Sequence, residues 1–140
     1  MATVIYLDTH VIAWLYAKGP TAVPAAARQL IEETDDIRIS PMVRLEMQYL
    51  FEIARVAAPA STVLDELTVK IGLRICDAPF LQVIQETERQ PWTRDPFDRL
   101  IVAQASLHGA VLITKDDTIS DNYAHTIWDK PQAPEISSDA

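Results

Sequence analysis

Short apolar runs alternate along this chain with longer segments in which apolar residues recur every three or four positions. The runs cover residues 3–7, 37–39, 71–76 and 110–114, with a weaker run at 126–128. The first four have the length and the apolar content of buried strands. Because strands that alternate with helices form parallel sheets, the pattern predicts an α/β fold with a short central parallel sheet flanked by helices, and an edge strand at the end.

Helix boundary signals lie between these runs. Ser40-Pro41 and Asp95-Pro96 combine an N-cap residue with proline at the first helical position, and Gly109 is typical of a helix end. The predicted helices cover residues 10–17, 24–34, 41–55, 59–69, 79–88 and 95–108. The segment between the last two is predicted to form a loop.

Size and composition indicate one folded domain. The chain has 140 residues, of which 49% are apolar, enough for a real core. Residues 129–140 contain two prolines, two serines and a single large apolar residue. We therefore expect a folded domain over residues 1–128 and a flexible C-terminal tail over residues 129–140.

The charge balance restricts the function. A formal net charge of −8 argues against a general nucleic-acid coat protein, which needs basic surface to neutralise phosphate. Cys76 is the only cysteine, which excludes an intrachain disulfide and favours a reducing compartment. We expect Cys76 to be a small buried side chain. No signal peptide is visible and no apolar run approaches the roughly 20 residues of a membrane span. The expectation is a cytoplasmic protein with no membrane contact.

Two aspartates follow predicted strands. Asp8 comes directly after the first strand, and Asp116 follows the strand at residues 110–114. In parallel sheets the carboxyl ends of strands lie along one edge, so these two carboxylates can point at one spot. Each also has a purely structural interpretation, Asp8 as a helix N-cap and Asp116 as part of a solvated turn.

Glu46 lies beside an apolar stripe on the predicted helix at residues 41–55. The stripe consists of Val43, Met47, Leu50 and Ala54. At this spacing Glu46 points toward the edge of the core, where an acid is unusual unless it is paired. The structural alternative is an ion pair with Arg44 or another base.

Two further acids open the helix at residues 95–108. Asp95 is a natural N-cap, and Asp98 occupies the capping-box position. A helix start also favours anions, including phosphate, so Arg94, Arg99 or the more distant Lys115 could contact the backbone of a nucleic acid. The alternatives are that the acids only stabilise the helix start and that the bases are solvated surface charges.

Carboxylates that converge without partner bases repel one another unless a cation lies among them. Oxygen ligands suit hard divalent ions such as Mg²⁺ or Mn²⁺. The corresponding chemistry is attack of a metal-activated water on phosphorus. Thr9 and Thr114 offer hydroxyls that could orient a ligand or a water, or are ordinary strand-end residues.

Taken together, four stretches of the chain resemble the PIN domain of the VapC toxin type. They lie at residues 7–15, 40–46, 95–105 and 112–116, and the resemblance spans about residues 3 to 128. It implies a PIN-like, Rossmann-like three-layer fold and a Mg²⁺- or Mn²⁺-dependent endoribonuclease that cleaves RNA as the toxin of a type II toxin–antitoxin pair. Matched position by position, the acidic quartet of the family falls on Asp8, Glu46, Asp98 and Asp116, and Asp95 matches an additional acid of the subgroup.

The resemblance also implies partners. These are an RNA substrate, a second copy of the chain in a homodimer, and a cognate antitoxin that covers the site and carries the assembly to DNA. Met42, Tyr49 and Phe51 supply apolar surface for a dimer or antitoxin groove. Two other functions stay open at this point: a PIN-type RNA-processing nuclease that is not a toxin, and a non-catalytic metal-binding interaction module.

Other enzyme classes lack their signatures in this sequence. The three histidines are too scattered for a zinc site, and the isolated glycines form no phosphate-binding loop. A phospho-aspartyl enzyme of the haloacid dehalogenase type needs a second aspartate two residues after Asp8, where this chain has His10.

Overall fold

The computed structural model describes residues 3–129. Its strands are β1 (Val4–Leu7), β2 (Asp36–Ile39), β3 (Arg74–Ile75), β4 (Val111–Ile113) and β5 (Thr126–Ile127). Its helices are α1 (Thr9–Lys18), α2 (Ala25–Glu33), α3 (Pro41–Glu52), α4 (Ala60–Ile71), α5 (Phe80–Thr87), α6 (Pro96–Leu107) and α7 (Asp117–Asn122), with a 3₁₀ turn at Pro20–Ala22. The tail predicted for residues 129–140 lies, apart from its first residue, outside the described range.

The strands form one parallel sheet in the order β3-β2-β1-β4-β5. Ile5 pairs with Ile37 of β2 on one side and with Val111 of β4 on the other. Three consecutive residues of β1 are at most 1% exposed, so both faces of this central strand are covered. The predicted α/β fold with a short central parallel sheet between helices is confirmed.

The order of the strands creates a crevice at one edge of the sheet. From β1 the chain crosses to β2 and β3 on one side, whereas β4 and β5 lie on the other side. Connections therefore diverge where β1 and β4 end, and ligands of doubly wound sheets bind at such a point. The two strand ends are joined by the backbone of Asp8, whose N–H donates to the Ile113 carbonyl at 3.0 Å.

Helix α1 fixes the direction in which the chain leaves this crevice. Val11, Ile12 and Leu15 recur at helical spacing on one side of α1, and all three are buried. Full burial of one such side chain contributes roughly 1.5–3 kcal/mol. Because the helix is anchored along this stripe, its first residues are held against the end of β1.

The strand predicted at residues 71–76 is wrong in its first half. Ile71 is the last residue of α4, and Gly72 ends that helix in the left-handed conformation with φ of 70°. The apolar run is thus divided between a helix end and an edge strand of only two residues. The prediction that Cys76 is a small buried side chain is confirmed, since it is 2% exposed.

Helix α3 also ends earlier than predicted. Val43 and Met47 are buried, but Ala54 is exposed, has φ of 62° and does not belong to the apolar stripe. The Ala54 N–H donates to the Phe51 carbonyl and the Arg55 N–H to the Leu50 carbonyl. This pair of bonds is a Schellman motif, which closes the helix with alanine where glycine is usual.

One helix was not predicted at all. Helix α7 has six residues, too few for a periodic apolar pattern, and only Ile119 of it is buried. Its start is capped by Asp116, so the structural alternative that placed Asp116 in a solvated turn is wrong, and this residue begins a helix instead. Within residues 3–129, no helix is both long and apolar enough to cross a membrane.

Candidate active site

The carboxylate of Asp8 is buried and held by two hydrogen bonds. Asp8 follows β1, caps α1 and is 3% exposed. Its Oδ1 accepts the Thr9 backbone N–H at 2.7 Å, and its Oδ2 accepts the Thr114 hydroxyl at 2.7 Å. Burial raises the pKa of Asp8 and the two hydrogen bonds oppose that rise. The interpretation of Asp8 as a helix N-cap is therefore correct. It accounts for the hydrogen bond of Oδ1 but not for that of Oδ2.

Glu46 reaches the same place from α3. Its Oε1 accepts the Thr9 hydroxyl at 2.5 Å, which connects α3 to the start of α1. Burial raises the pKa of Glu46, and the nearby charge of Asp8 raises it further. The alternative of an ion pair with Arg44 is not realised, since no ion pair of the described chain involves Glu46.

Asp116 is connected to Asp8 through Thr114. The Thr114 hydroxyl, which donates to Asp8, also accepts the Asp116 backbone N–H at 3.0 Å. The carboxylate of Asp116 accepts the Ile119 N–H at 3.0 Å and so caps α7. Thr9 and Thr114 thus join Glu46, Asp8 and Asp116 in one continuous path of hydrogen bonds.

Asp98 lies in the first turn of α6, half-buried, and faces this path. Burial raises its pKa from 3.8 to about 7, and the negative charges of Asp95, Asp8, Asp116 and Glu46 add to the rise. Asp95 itself is exposed and caps α6 through the Phe97 N–H at 2.9 Å. All five predicted acids therefore lie close enough for the other four charges to act on Asp98.

Two contacts that the sequence did not reveal hold α6 in position. Ser40, at the start of α3, donates its hydroxyl to Gln104 Oε1 of α6 at 3.0 Å, and both residues are buried. Arg99 Nε donates to the Thr87 carbonyl at the end of α5 at 2.9 Å. The only signal in the sequence was Gln104 itself, a polar residue within an otherwise apolar helical segment.

The acidic cluster has no compensating ion pairs. The ion pairs of residues 3–129 join Arg38 and Arg74 to Asp36, Lys70 to Glu66, and Arg89 to Glu86. None of them includes one of the clustered acids. A half-buried group of like charges without ion pairs favours the binding of a cation.

The chemistry of the donor set fits a hard divalent cation. Asp8, Glu46, Asp98 and Asp116 offer carboxylate oxygens and no thiol, as Mg²⁺ and Mn²⁺ require. Among residues 3–129 no three His, Cys, Asp or Glu side chains are already gathered into a metal-ligand group.

The predicted phosphate contacts have other partners in this structure. Arg94 Nη1 donates to the Pro91 carbonyl at 2.7 Å, and Arg99 is bound to α5. Lys115 Nζ lies 5.7 Å from the ring centre of Trp14, at cation–π distance. The contacts of these bases with a nucleic acid stay predictions.

The fold and the acidic cluster agree with the comparison of this chain with known protein families. The family described as PIN domain matches residues 5–124, so the chain is a PIN-domain protein. It is 32% identical over 132 residues to Ribonuclease VapC22 of Mycobacterium tuberculosis, with 90% of this chain and 99% of that relative covered. Within the PIN-domain proteins, the chain belongs to the VapC family.

Solved structures with the same fold are VapBC structures. VapBC from Salmonella typhimurium bound to DNA has a TM-score of 0.61 at 19% identity, covering 90% of this chain and 96% of that chain. VapBC2 from Rickettsia felis with a fragment of promoter DNA has a TM-score of 0.58 at 20% identity, covering 86% and 93%. VapBC-1 from nontypeable Haemophilus influenzae has a TM-score of 0.55 at 19% identity, covering 85% and 94%. These similarities establish the shared fold.

Proposed function

We propose that this protein is a metal-dependent endoribonuclease and the toxin of a type II toxin–antitoxin pair. The observation that carries the proposal is the half-buried Asp98, surrounded by the unpaired charges of Asp8, Glu46, Asp95 and Asp116 at the switch point of the sheet. The curated relative with 32% identity is a ribonuclease by name, which supports RNA as the substrate.

Asp8 and Asp98 are the proposed primary ligands of Mg²⁺ or Mn²⁺, and Glu46 and Asp116 complete the site directly or through water. The bound ion would supply an activated water and stabilise the leaving oxygen during phosphodiester hydrolysis. Thr114 and Thr9 hold Asp8 and Glu46 in fixed directions by donating to their carboxylates. Hydrogen bonds to a carboxylate favour its ionised form, which is the form that binds cations.

An antitoxin would inhibit the enzyme by covering this site. A groove of about 640 Å³ lies beside the acids and is lined by apolar side chains such as Trp14, Leu50 and Val56, together with Arg55 and Glu66. His10 also lines the groove, and it follows Asp8 by two residues. We propose that an antitoxin segment binds here, as the VapBC names of the structural neighbours suggest.

The outer face of α3 is the proposed surface of a homodimer. Leu45 and Tyr49 of α3 and Ile53 directly after it recur at intervals of four residues and are 55%, 48% and 44% exposed. Of the apolar residues expected on this surface from the sequence, Tyr49 is exposed, whereas Met42 and Phe51 are half-buried. A strictly monomeric protein at high concentration would contradict the dimer without affecting the nuclease assignment.

Cleavage of a mixed cellular RNA pool by antitoxin-free protein tests the main proposal. We expect discrete fragments in the presence of Mg²⁺ or Mn²⁺, and none after chelation or in the Asp98→Asn variant. Asp65→Asn, an exposed acid on α4, is the matched control and should cleave like the parent protein. If folded protein cleaves equally well with and without Asp98, the site assignment is wrong.

A further inference from the structure

Three aromatic rings lie side by side next to the acidic cluster. The ring centres of His10 and Trp14 are 5.8 Å apart, and those of Trp14 and Trp128 are 5.7 Å apart. Lys115 Nζ lies 5.7 Å from the centre of the Trp14 ring. We refer to His10, Trp14 and Trp128 as the aromatic row.

The aromatic row follows the edge of the sheet that carries the acids. His10 lies two residues after Asp8, Lys115 directly precedes Asp116, and Trp128 directly follows β5. Burial raises the pKa of Asp8 and of Glu46, and His10 acts on both in the opposite direction, so its ring is close to their carboxylates. The row therefore begins at the acids and continues past the ends of β4 and β5.

These side chains are accessible to a ligand. His10 and Lys115 are exposed, and Trp14 and Trp128 are half-buried. Trp128 packs against the hydrophobic core with part of its ring, and the exposed part of each tryptophan stays available for contact. Two of the three tryptophans of the chain lie in this row, beside the acidic cluster.

We propose that the aromatic row binds unpaired bases of a single-stranded RNA next to the bond that is cleaved, with Lys115 on an adjacent phosphate. The proposal rests on the ribonuclease function proposed above. Aromatic faces for base stacking, combined with a cation for the backbone, are how proteins hold single-stranded RNA. Paired bases cannot stack on side chains in this way, so the row selects loops and unpaired ends.

RNA fits this surface better than a protein segment does. The surface combines three mutually tilted rings with the ammonium of Lys115 over the Trp14 ring, on a chain whose formal net charge is −8. The neighbouring groove is also lined by Tyr16, and its aliphatic part, with Leu50 and Val56, suits a peptide. His10 and Trp14 line both surfaces, so an antitoxin segment in the groove would compete with RNA at these two rings.

Binding of RNA can be measured separately from cleavage. In the Asp98→Asn background, a short random-sequence single-stranded RNA carrying a fluorescent label is the probe, and a duplex of the same length is its comparison. We expect Trp14→Leu and Trp128→Leu each to weaken binding of the single strand about tenfold. Trp92→Leu is the matched control and should bind like the background protein, because Trp92 is bonded to Gln90 in a different loop.

A second measurement keeps the residues of the aromatic row unchanged. Its result therefore does not depend on whether variants of Trp14 or Trp128 fold. In a Trp92→Phe protein the remaining tryptophans are those of the row. Single-stranded RNA should quench their fluorescence by stacking, and the duplex should not. Lys115→Gln should reduce the slope of log affinity against log salt by about 0.7, the value for one phosphate contact on a single strand. Lys70→Gln, whose lysine is paired with Glu66, should leave that slope unchanged.

The outcomes separate this inference from the proposed function. If single-stranded RNA quenches the row but wild-type protein cleaves no RNA with any metal, the ribonuclease proposal fails and the binding site stands. If wild-type protein cleaves RNA and the Trp14 and Trp128 variants cleave and bind as well as it does, the row is not an RNA site. Loss of antitoxin binding in these variants with unchanged RNA binding would assign the row to the protein partner and overturn the proposal.

Discussion

Thr114 donates its hydroxyl to the buried carboxylate of Asp8 at 2.7 Å, across 106 residues of sequence. The same oxygen accepts the N–H of Asp116, so one threonine fixes two strand-end acids relative to each other. Thr9 connects Asp8 and Glu46, since its backbone N–H donates to Asp8 and its hydroxyl donates to Glu46. Two threonines thus connect the carboxylates of Asp8 and Glu46 and the backbone of Asp116, and Asp98 approaches them from a separate helix.

Removing the Thr114 hydroxyl should therefore damage both stability and activity. Thr114→Val keeps the shape of a fully buried residue but leaves Asp8 Oδ2 without a donor. We expect a loss of about 1–3 kcal/mol in the free energy of unfolding and a decrease of about 10- to 100-fold in metal-dependent cleavage. Urea denaturation and initial cleavage rates measure the two effects.

Thr118→Val is the matched control for this change. Thr118 is an exposed residue of α7, in the next turn of chain after Asp116. Its replacement should change neither quantity appreciably. Equal cleavage rates for Thr114→Val and the wild type would show that the hydroxyl does not orient Asp8 for catalysis.

The end of α3 carries a strained residue that can be relieved. Ala54 closes the helix with φ of 62°, a conformation that costs an L-residue roughly 1–2 kcal/mol. Ala54→Gly removes this strain but adds entropy to the unfolded chain. The net expectation is a gain of about 0.5–1 kcal/mol in the free energy of unfolding. Ala57→Gly, in the same loop with negative φ, should instead lower stability, and the opposite order of the two variants would contradict the argument.

The strands and most helices were predictable from the sequence because burial imposes a period on the chain. Both faces of β1 are covered, so its residues had to be continuously apolar, and α6 had both a capping signal and a terminal glycine. The failures have physical reasons too. β3 is an exposed edge of two residues and α7 has six, and neither length leaves a periodic pattern.

The candidate site was predictable only in part. Strand-end positions located Asp8 and Asp116, because a parallel sheet brings its carboxyl ends together. The bond between Ser40 and Gln104 joins residues 64 positions apart, and no local pattern encodes it. The alignment of Trp14 with Trp128 likewise depends on where β5 places the end of the chain beside α1.

Without metal, the acidic cluster should lower the stability of the folded protein. The pKa of Asp98 is raised from 3.8 to about 7 in the folded protein, so the folded state binds a proton more tightly than the unfolded state does. This proton binding stabilises the fold at low pH, and the stabilisation is lost as the pH rises from 3.8 through 7. Asp98→Asn should therefore be more stable than the wild type at pH 8 in chelator, by about 1–2 kcal/mol after allowance for the half-exposed side chain. The difference should shrink toward pH 4.

Denaturation of both proteins in chelator across this pH range tests the prediction. Asp65→Asn controls for the loss of one surface charge and should follow the wild-type curve, since its carboxylate is exposed on α4. If the wild type is as stable as Asp98→Asn at pH 8, the charge of Asp98 is not destabilised by burial and by the neighbouring acids as the structure indicates.

Addition of metal should reverse this order of stability. A ligand that binds only the folded state adds about 2.7 kcal/mol at a concentration of 100 times its Kd. Mg²⁺ or Mn²⁺ should therefore raise the melting temperature of the wild type at pH 8, and much less that of Asp98→Asn. At pH 5 the effect should be weaker, because the raised pKa of Asp98 means that protons compete with the ion for its carboxylate. Equal stabilisation of the two proteins by metal would place the ion elsewhere and leave the convergence of these acids without a catalytic role.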